Sequence, residues 1–327
     1  MLHFCRFSSF IDPNIDVLKA NLILSLIGLQ YFYHMISYNP KDWFNFLFRF
    51  HRGDTLRKLL AFMFLVSVYS ALIAFLELEF WKLSKASYIS NLSLLHQLLG
   101  FVLSLLLVFR TNTAYDRWWE GRKLWGSLVN NSRNLAIKLN ALLKHEDESD
   151  RKFFARMIPL FATVLKEHLA LETTRLALDS EEHPELSQLD KNKHVPNQVA
   201  SLITQRIYRL HRDGKISGDE LITLNNEMLS FTDICGACER IKNTPIPFSY
   251  STFVKKFIFT YVFTLPFGFV FSLGYWVIPV VAFIFYVLAS LELIAEEIED
   301  PFGGDENDLP TDKIASNIKR HVEEILH

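Results

Sequence analysis

Leu92–Gly126 reads LSLLHQLLGFVLSLLLVFRTNTAYDRWWEGRKLWG. Its first half, Leu92–Phe109, holds no Asp, Glu, Lys or Arg, with His96 and Gln97 the most polar residues near its start. Its second half turns abruptly charged and aromatic. A helix in hydrocarbon needs about 20 mostly apolar residues, because only intrahelical bonds can satisfy its backbone there. The first half therefore reads as a membrane span. Trp118, Trp119, Leu124, Trp125, Leu128 and Leu135 continue it as an amphipathic stripe in water.

Working outward, Leu59–Leu76 is also free of acids and bases, and so is Phe257–Leu291, a run of 35 residues. The latter is too long for one span and suits two, with Ser272-Leu273-Gly274 as the turn and Pro266 and Pro279 kinking the halves. Core helices of a large soluble protein are the alternative, but soluble helices of this length carry charge on one face. The reading is an all-α membrane protein with spans at about 57–77, 92–110, 254–272 and 275–293 and water-side helices over 111–250.

The whole-chain averages conceal this segregation. Hydrophobic residues make up 50% of the 327, with 29 Phe, yet mean hydropathy is only +0.15. Thirty-four basic against 36 acidic residues, a net charge of −2, exclude a general pull on nucleic acid, and three Cys exclude a disulfide scaffold. The two short connections, 77–91 and 272–274, hold only 2 of the 34 Lys and Arg. The positive-inside rule then places both termini and the long middle segment in the cytoplasm of a plasma (inner) membrane.

A fifth apolar stretch, Leu22–Ile36, is short for a span. It reads as a signal-peptide core, a membrane-surface helix or, more simply, part of an extension: Met35-Ile36-Ser37-Tyr38 would make an ordinary start, with 1–35 set apart from a channel unit over 36–327. In the middle segment, Phe153–Leu171, Gln198–Arg212 and Gly218–Lys242 read as helices, Asp179–Pro196 as an exposed loop, and Thr244-Pro-Ile-Pro247 as a break.

Enzyme signatures are absent: there is no GxGxxG, GxxxxGK[ST], HExxH or GxSxG. Cys235-Gly-Ala-Cys238 has redox-motif spacing but lies in a helical stretch, which favours a structural role. None of the 11 His forms an i, i+4 pair, which argues against a His-based metal site. Glu292, Glu296 and Asp300 recur every four residues, and a solvated helix end is the plainer reading. Asp305 and Asp308 sit in a glycine-containing loop that suits a hard cation wanting about 6–8 oxygens; a sharp turn before a helix starting near Asp312 is the simpler account. Gln97, Phe101, Leu105 and Phe109 form one stripe on the second span, with Arg110, Thr111, Asn112 and Thr113 beyond it.

Taken together, FRTNTAYDRWWEGRKLWG (Phe109–Gly126), CERIKNTPIPFSY (Cys238–Tyr250) and AEEIEDPFGGDENDLP (Ala295–Pro310) resemble the bacterial branch of the bestrophin ion channels, more weakly so over Trp43–Lys58. The resemblance covers about 36–327. It implies a homopentamer whose second helices line one central pore, a passive channel rather than an enzyme, with itself, small ions and the bilayer as partners. Phe101, Leu105 and Phe109 then map onto three rings of a hydrophobic neck, which gates by dewetting. A cytoplasmic aperture, usually a ring of one aliphatic residue, falls on Asp219 in a gap-free alignment, or on Ile216 after a three-residue shift. Five carboxylates would favour cations, so chloride and sodium both stay open. The animal members bind calcium at a clasp; Asp305 and Asp308 match its carboxylates, and Glu297 and Asp300 match positions giving backbone carbonyls. No cofactor is required by the resemblance. A secondary transporter or membrane enzyme is the other class, disfavoured by the lack of charge within the spans.

Overall fold

The structure, a computed structural model, describes residues 55–82, 92–170, 189–190 and 193–327. Every regular element among them is helical. In chain order these are α1 (Thr55–Phe75), α2 (Leu92–Leu142), α3 (Glu148–Ala170), α4 (Val195–Arg212), α5 (Gly218–Asn243), α6 (Phe248–Leu273), α7 (Val277–Glu299) and α8 (Thr311–Leu326). The leading stretch with Leu22–Ile36, most of Trp43–Lys58 and most of the 179–196 loop lie outside the described residues.

Among the described residues, three helical stretches are long and apolar enough to cross a membrane, Thr55–Phe80, Leu92–Leu142 and Phe248–Glu299. The last is interrupted by a single 3-10 turn, Gly274–Trp276, where Gly274 takes φ +57°. That left-handed conformation is open to glycine at little cost, and it reverses the chain. Lys255 at the start of α6 reaches Glu296 at the end of α7 over 2.9 Å, so the two halves lie side by side and antiparallel. α1 lies along α7 in the opposite sense, with Lys58 bonded to Glu297 at one end and Glu79 3.5 Å from the Tyr275 hydroxyl at the other. The membrane half of α2 packs on α6: Gly268 lets the α2 backbone approach so closely that a Cβ there would stand 3.0 Å from the Ser93 nitrogen. His96, buried beside that contact, is bonded through Nε2 to Thr264 Oγ1 at 2.9 Å.

α2 is one unbroken helix of 51 residues. At 1.5 Å per residue it extends about 77 Å, against a hydrocarbon core of about 30 Å. The span and its amphipathic continuation are thus a single element. Its far half joins α3, α4, α5 and α8 in a core of Trp125, Leu128, Leu135, Phe154, Phe161, Phe231 and their neighbours. The helix starts here follow ordinary capping chemistry. His194 caps α4 through Nδ1, which accepts from the Asn197 N–H, with Pro196 in the first turn. Ser217 and Glu220 close a capping box on α5.

α1 runs past its charge-free stretch through a π-helical turn, Leu76–Phe80, which carries Glu77 fully inside the protein. Neither Glu77 oxygen meets a hydrogen-bond partner among the described residues. The expectation that no acid lies within a span is corrected by this residue. The apolar run ends at Leu76, but the helix does not.

Candidate functional site

The second helix presents two opposite faces over its whole length. One is buried in its own chain: His96, Leu103, Leu107, Arg110, Ala114, Gly121, Trp125, Leu128 and Leu135. The other meets nothing among the described residues. On it lie Phe101, 72% exposed, Leu105, 46%, and Phe109, 57%. Asn112, Asp116, Trp119 and Lys123, also on that side, make it polar past the apolar stretch. An apolar strip of this size is covered in its working state by lipid or by protein.

Arg110, next to Phe109, points the other way and is buried. Its Nη2 pairs with Glu299 at 2.7 Å and its Nε lies 3.5 Å from Glu292. Glu292 and Glu297 are buried, Glu297 bonding Lys58 and, at 2.6 Å, the Asn307 amide. This corrects the reading of a solvated helix end at Glu292, whereas Glu296 and Asp300 are exposed. Arg110 of α2 serves both Glu292 and Glu299, while Lys58 of α1 serves Glu297 and Lys255 of α6 serves Glu296, cations that stand from 41 to 239 positions away in sequence.

The three segments that carried the family resemblance meet at this level. Arg117 donates from Nε to the Glu299 carbonyl at 2.9 Å, and from its two terminal nitrogens to the carbonyls of Thr244 and Ile241, each at 2.5 Å. Arg240 reaches back to Glu120 at 2.8 Å, and the Ile246 N–H donates to Glu299 at 2.6 Å. The Trp118 indole donates to the Asn307 carbonyl at 3.0 Å. Gly121 allows the 300–310 loop to dock, since a Cβ there would stand 3.1 to 3.3 Å from Phe302, Leu309 and Pro301.

Of the four candidate cation ligands, Asp300, Asp305 and Asp308 lie in or at the start of that loop and Glu297 in the last turn of α7 before it. Asp308 is buried; its Oδ2 accepts from the N–H groups of Gly304 and Asp305, and its Oδ1 has no hydrogen-bond partner among the described residues. Burial pushes its carboxyl up to about 7, despite those two bonds. Asp300 Oδ1 accepts from the Phe302 N–H at 3.2 Å, and its Oδ2 lies across Gly303 from Asp308. Pro301 has no N–H to give the Glu297 carbonyl, the acceptor four residues back. Asp305 is exposed. An oxygen-only set with one orphaned buried carboxylate oxygen fits a hard cation.

The aperture candidates separate cleanly. Ile216 is buried in its own chain's core, so its side chain is not available to ring an axis. Asp219 is exposed in the first turn of α5. One turn on, Ile222 is 62% exposed. Sequence reading missed it, although the i, i+3 spacing from Asp219 was there to be seen. α5 runs antiparallel to α2, with Lys138 bonded to Glu227 at 2.7 Å. From Phe109 to Lys138 α2 rises about 44 Å, so Asp219 lies some 45 Å or more beyond Phe109 along it. Cys235 and Cys238 are buried free thiols on α5, pushed up first by burial, Cys238 to about 12.

A family model described as bacterial/fungal bestrophin protein matches residues 35–324. The chain belongs to the bestrophin family. Its place there makes it a membrane channel rather than an enzyme. Among its relatives, a voltage-dependent anion channel-forming protein of Nostoc is 39% identical over 69% of this chain and 75% of its own length. A protein of the same description from Synechocystis is 30% identical over 91% and 96%. In structure, this bestrophin resembles a bacterial homolog from Klebsiella pneumoniae at TM-score 0.71 and 27% identity, over 82% of this chain and 98% of that one.

Proposed function

We propose that this bestrophin is a passive anion channel of the bacterial inner membrane, with chloride as a typical permeant ion. Residues 36–327 form the channel unit, and α1, the membrane half of α2, α6 and α7 are its four spans, with both chain ends cytoplasmic. Five copies surround an axis, each turning the empty face of α2 inward. Phe101, Leu105 and Phe109 form the neck, a collar that is dry when closed and wet when dilated. The observation that carries this reading is the face of α2 left without a partner opposite the face its own chain buries. The relatives' description as anion channel-forming proteins supports the choice of ion.

Asp219, with Ile222 beside it, forms the cytoplasmic aperture. A ring of five carboxylates there favours cations, which makes sodium passage the second reading. Calcium binds the 300–310 loop through the Asp305 and Asp308 carboxylates and the Glu297 and Asp300 carbonyls, fixing the loop against α2.

Planar-bilayer recordings under a salt gradient test the main reading. A reversal potential toward the chloride equilibrium is expected, and one toward sodium transfers the assignment to the cation channel. The triple variant F101A, L105A, F109A is expected to conduct at least several-fold more; unchanged conductance removes those residues from the neck. Calorimetric titration with calcium, beside D305A, tests the loop: no heat at millimolar calcium ends that assignment.

A further inference from the structure

Away from the α2 face and the 300–310 loop, three side chains from three helices converge. His168 sits in the last turn of α3, His194 caps α4, and Glu239 lies near the end of α5. His168 Nε2 is 2.7 Å from Glu239 Oε1, and His194 Nε2 bonds the same oxygen. The imidazole rings are 4.5 Å apart between centroids. One donor atom from each residue lies within 4.8 Å of the other two. All three are partly buried, and Glu239 borders an open cleft of about 750 Å³ between α4 and α5, lined also by Ala200, Thr204, Tyr208 and Cys235.

We propose that His168, His194 and Glu239 form a binding site for a divalent transition metal of the zinc class, with its fourth position open toward that cleft.

The donor chemistry selects the ion. Two imidazole nitrogens and one carboxylate suit zinc and its neighbours, whereas calcium and magnesium want oxygen alone. Three protein ligands with an open fourth position form one of the two common zinc geometries. Tetrahedral ligands at about 2.0–2.2 Å from zinc stand about 3.3–3.5 Å from each other. The Nε2 atoms now hydrogen-bonded to Glu239 therefore need to withdraw by less than about 1 Å. Both Nε2 atoms already face one carboxylate oxygen, Glu239 Oε1.

The proton count is definite for His194. Its Nδ1 accepts from the Asn197 N–H at 3.1 Å, so in the neutral ring the proton sits on Nε2 and is donated to Glu239. Metal binding takes the Nε2 lone pair. The Nε2 proton goes to solvent, the ring takes up a proton on Nδ1 and stays neutral, and the cap bond from the Asn197 N–H opens. Without metal the cluster is a closed hydrogen-bonded triad; with metal it is a covalent tie among three helices. Cys235, four residues before Glu239, stays a protonated buried thiol and is not counted as a ligand.

The test uses the full chain in detergent, stripped with EDTA and titrated with zinc by calorimetry, then loaded with cobalt for its visible spectrum. One zinc per chain is expected, with the d–d bands of four-coordinate cobalt. H168N, H194N and E239Q should each weaken zinc binding at least tenfold, while D305A keeps it. X-ray absorption on the zinc-loaded wild-type protein needs no variant, and two imidazoles at about 2.0–2.1 Å are expected. The proposal falls if no zinc binds at micromolar concentration. It also falls if absorption finds fewer than two imidazoles, or if folded H168N and H194N bind as the wild type does.

Discussion

The two halves of α2 live in different solvents and are held in different ways. Beyond Gly121 the helix is packed by α3, α5 and α8 into a core of Trp, Phe and Leu that would serve a water-soluble domain. Before Arg110 it rests on α6 and α7 through a much smaller set of contacts, chiefly Leu103 and Leu107 against aliphatic residues. Its other face is left empty. Water drives the first arrangement through the hydrophobic effect. Lipid offers no such drive between helices, so close backbone approach at Gly268 and specific polar contacts such as His96–Thr264 do the holding. A water-side half complete in itself and a membrane half incomplete alone are what the proposed assembly around an axis requires of each copy.

The sharpest way to break this comparison is at the boundary. Replacing Arg110 by Ala leaves Glu292 and Glu299 buried near one another without their cation. A loss of about 3–5 kcal/mol is expected, read as a drop in detergent unfolding temperature, and a shift of less than a degree would show that water reaches the site. Next comes a pair on the same helix. Leu135→Ala should cost about 2–5 kcal/mol, since Leu135 is wholly buried. Leu105→Ala should leave stability nearly unchanged while altering conductance. Equal destabilisation by both would erase the distinction between the faces.

A smaller effect belongs to the loop below the boundary. The Asp308 carboxyl titrates near 7 in the folded protein, raised first by burial, against an ordinary value of 3.8. The folded state therefore binds its proton more tightly than the unfolded one. Its contribution is present at low pH and is lost as pH rises through about 7. In calcium-free buffer the unfolding temperature should fall between pH 5 and 8 for wild type, and D308N should flatten that slope; parallel slopes would remove the effect. Smallest is Ser217→Ala, which opens the capping box of α5 at about 1 kcal/mol, measurable by chemical denaturation.

How much was legible depended on the range of the signal. Charge-free runs are local, so the spans, the amphipathic continuation of the second and the break at Gly274 could be read directly. The stripe of Phe101, Leu105 and Phe109 was equally local, and the structure sets it on an exposed face. Glu292 was misread as solvated because its cation, Arg110, comes from α2, at a sequence distance no window spans. The convergence of His168 and His194 was hidden for the same reason: a spacing rule sees ligands on one helix, not on three. Ile216 lost its candidacy to packing, since burial of a lone isoleucine after a turn depends on α3 and α4 being in place.

The unbroken length of α2 has a mechanical corollary. Arg110 anchors it at a fulcrum directly beside the proposed neck, and about 48 Å of stiff rod extends from there to Leu142. Each degree of tilt about that fulcrum sweeps the far tip through about 0.8 Å, with much smaller travel at Phe109. A lever so proportioned would trade a large, weak displacement among the water-side helices for a short, forceful one at the proposed neck. Anything that stiffens or shifts the distal end would thereby be geared to the width of the proposed pore.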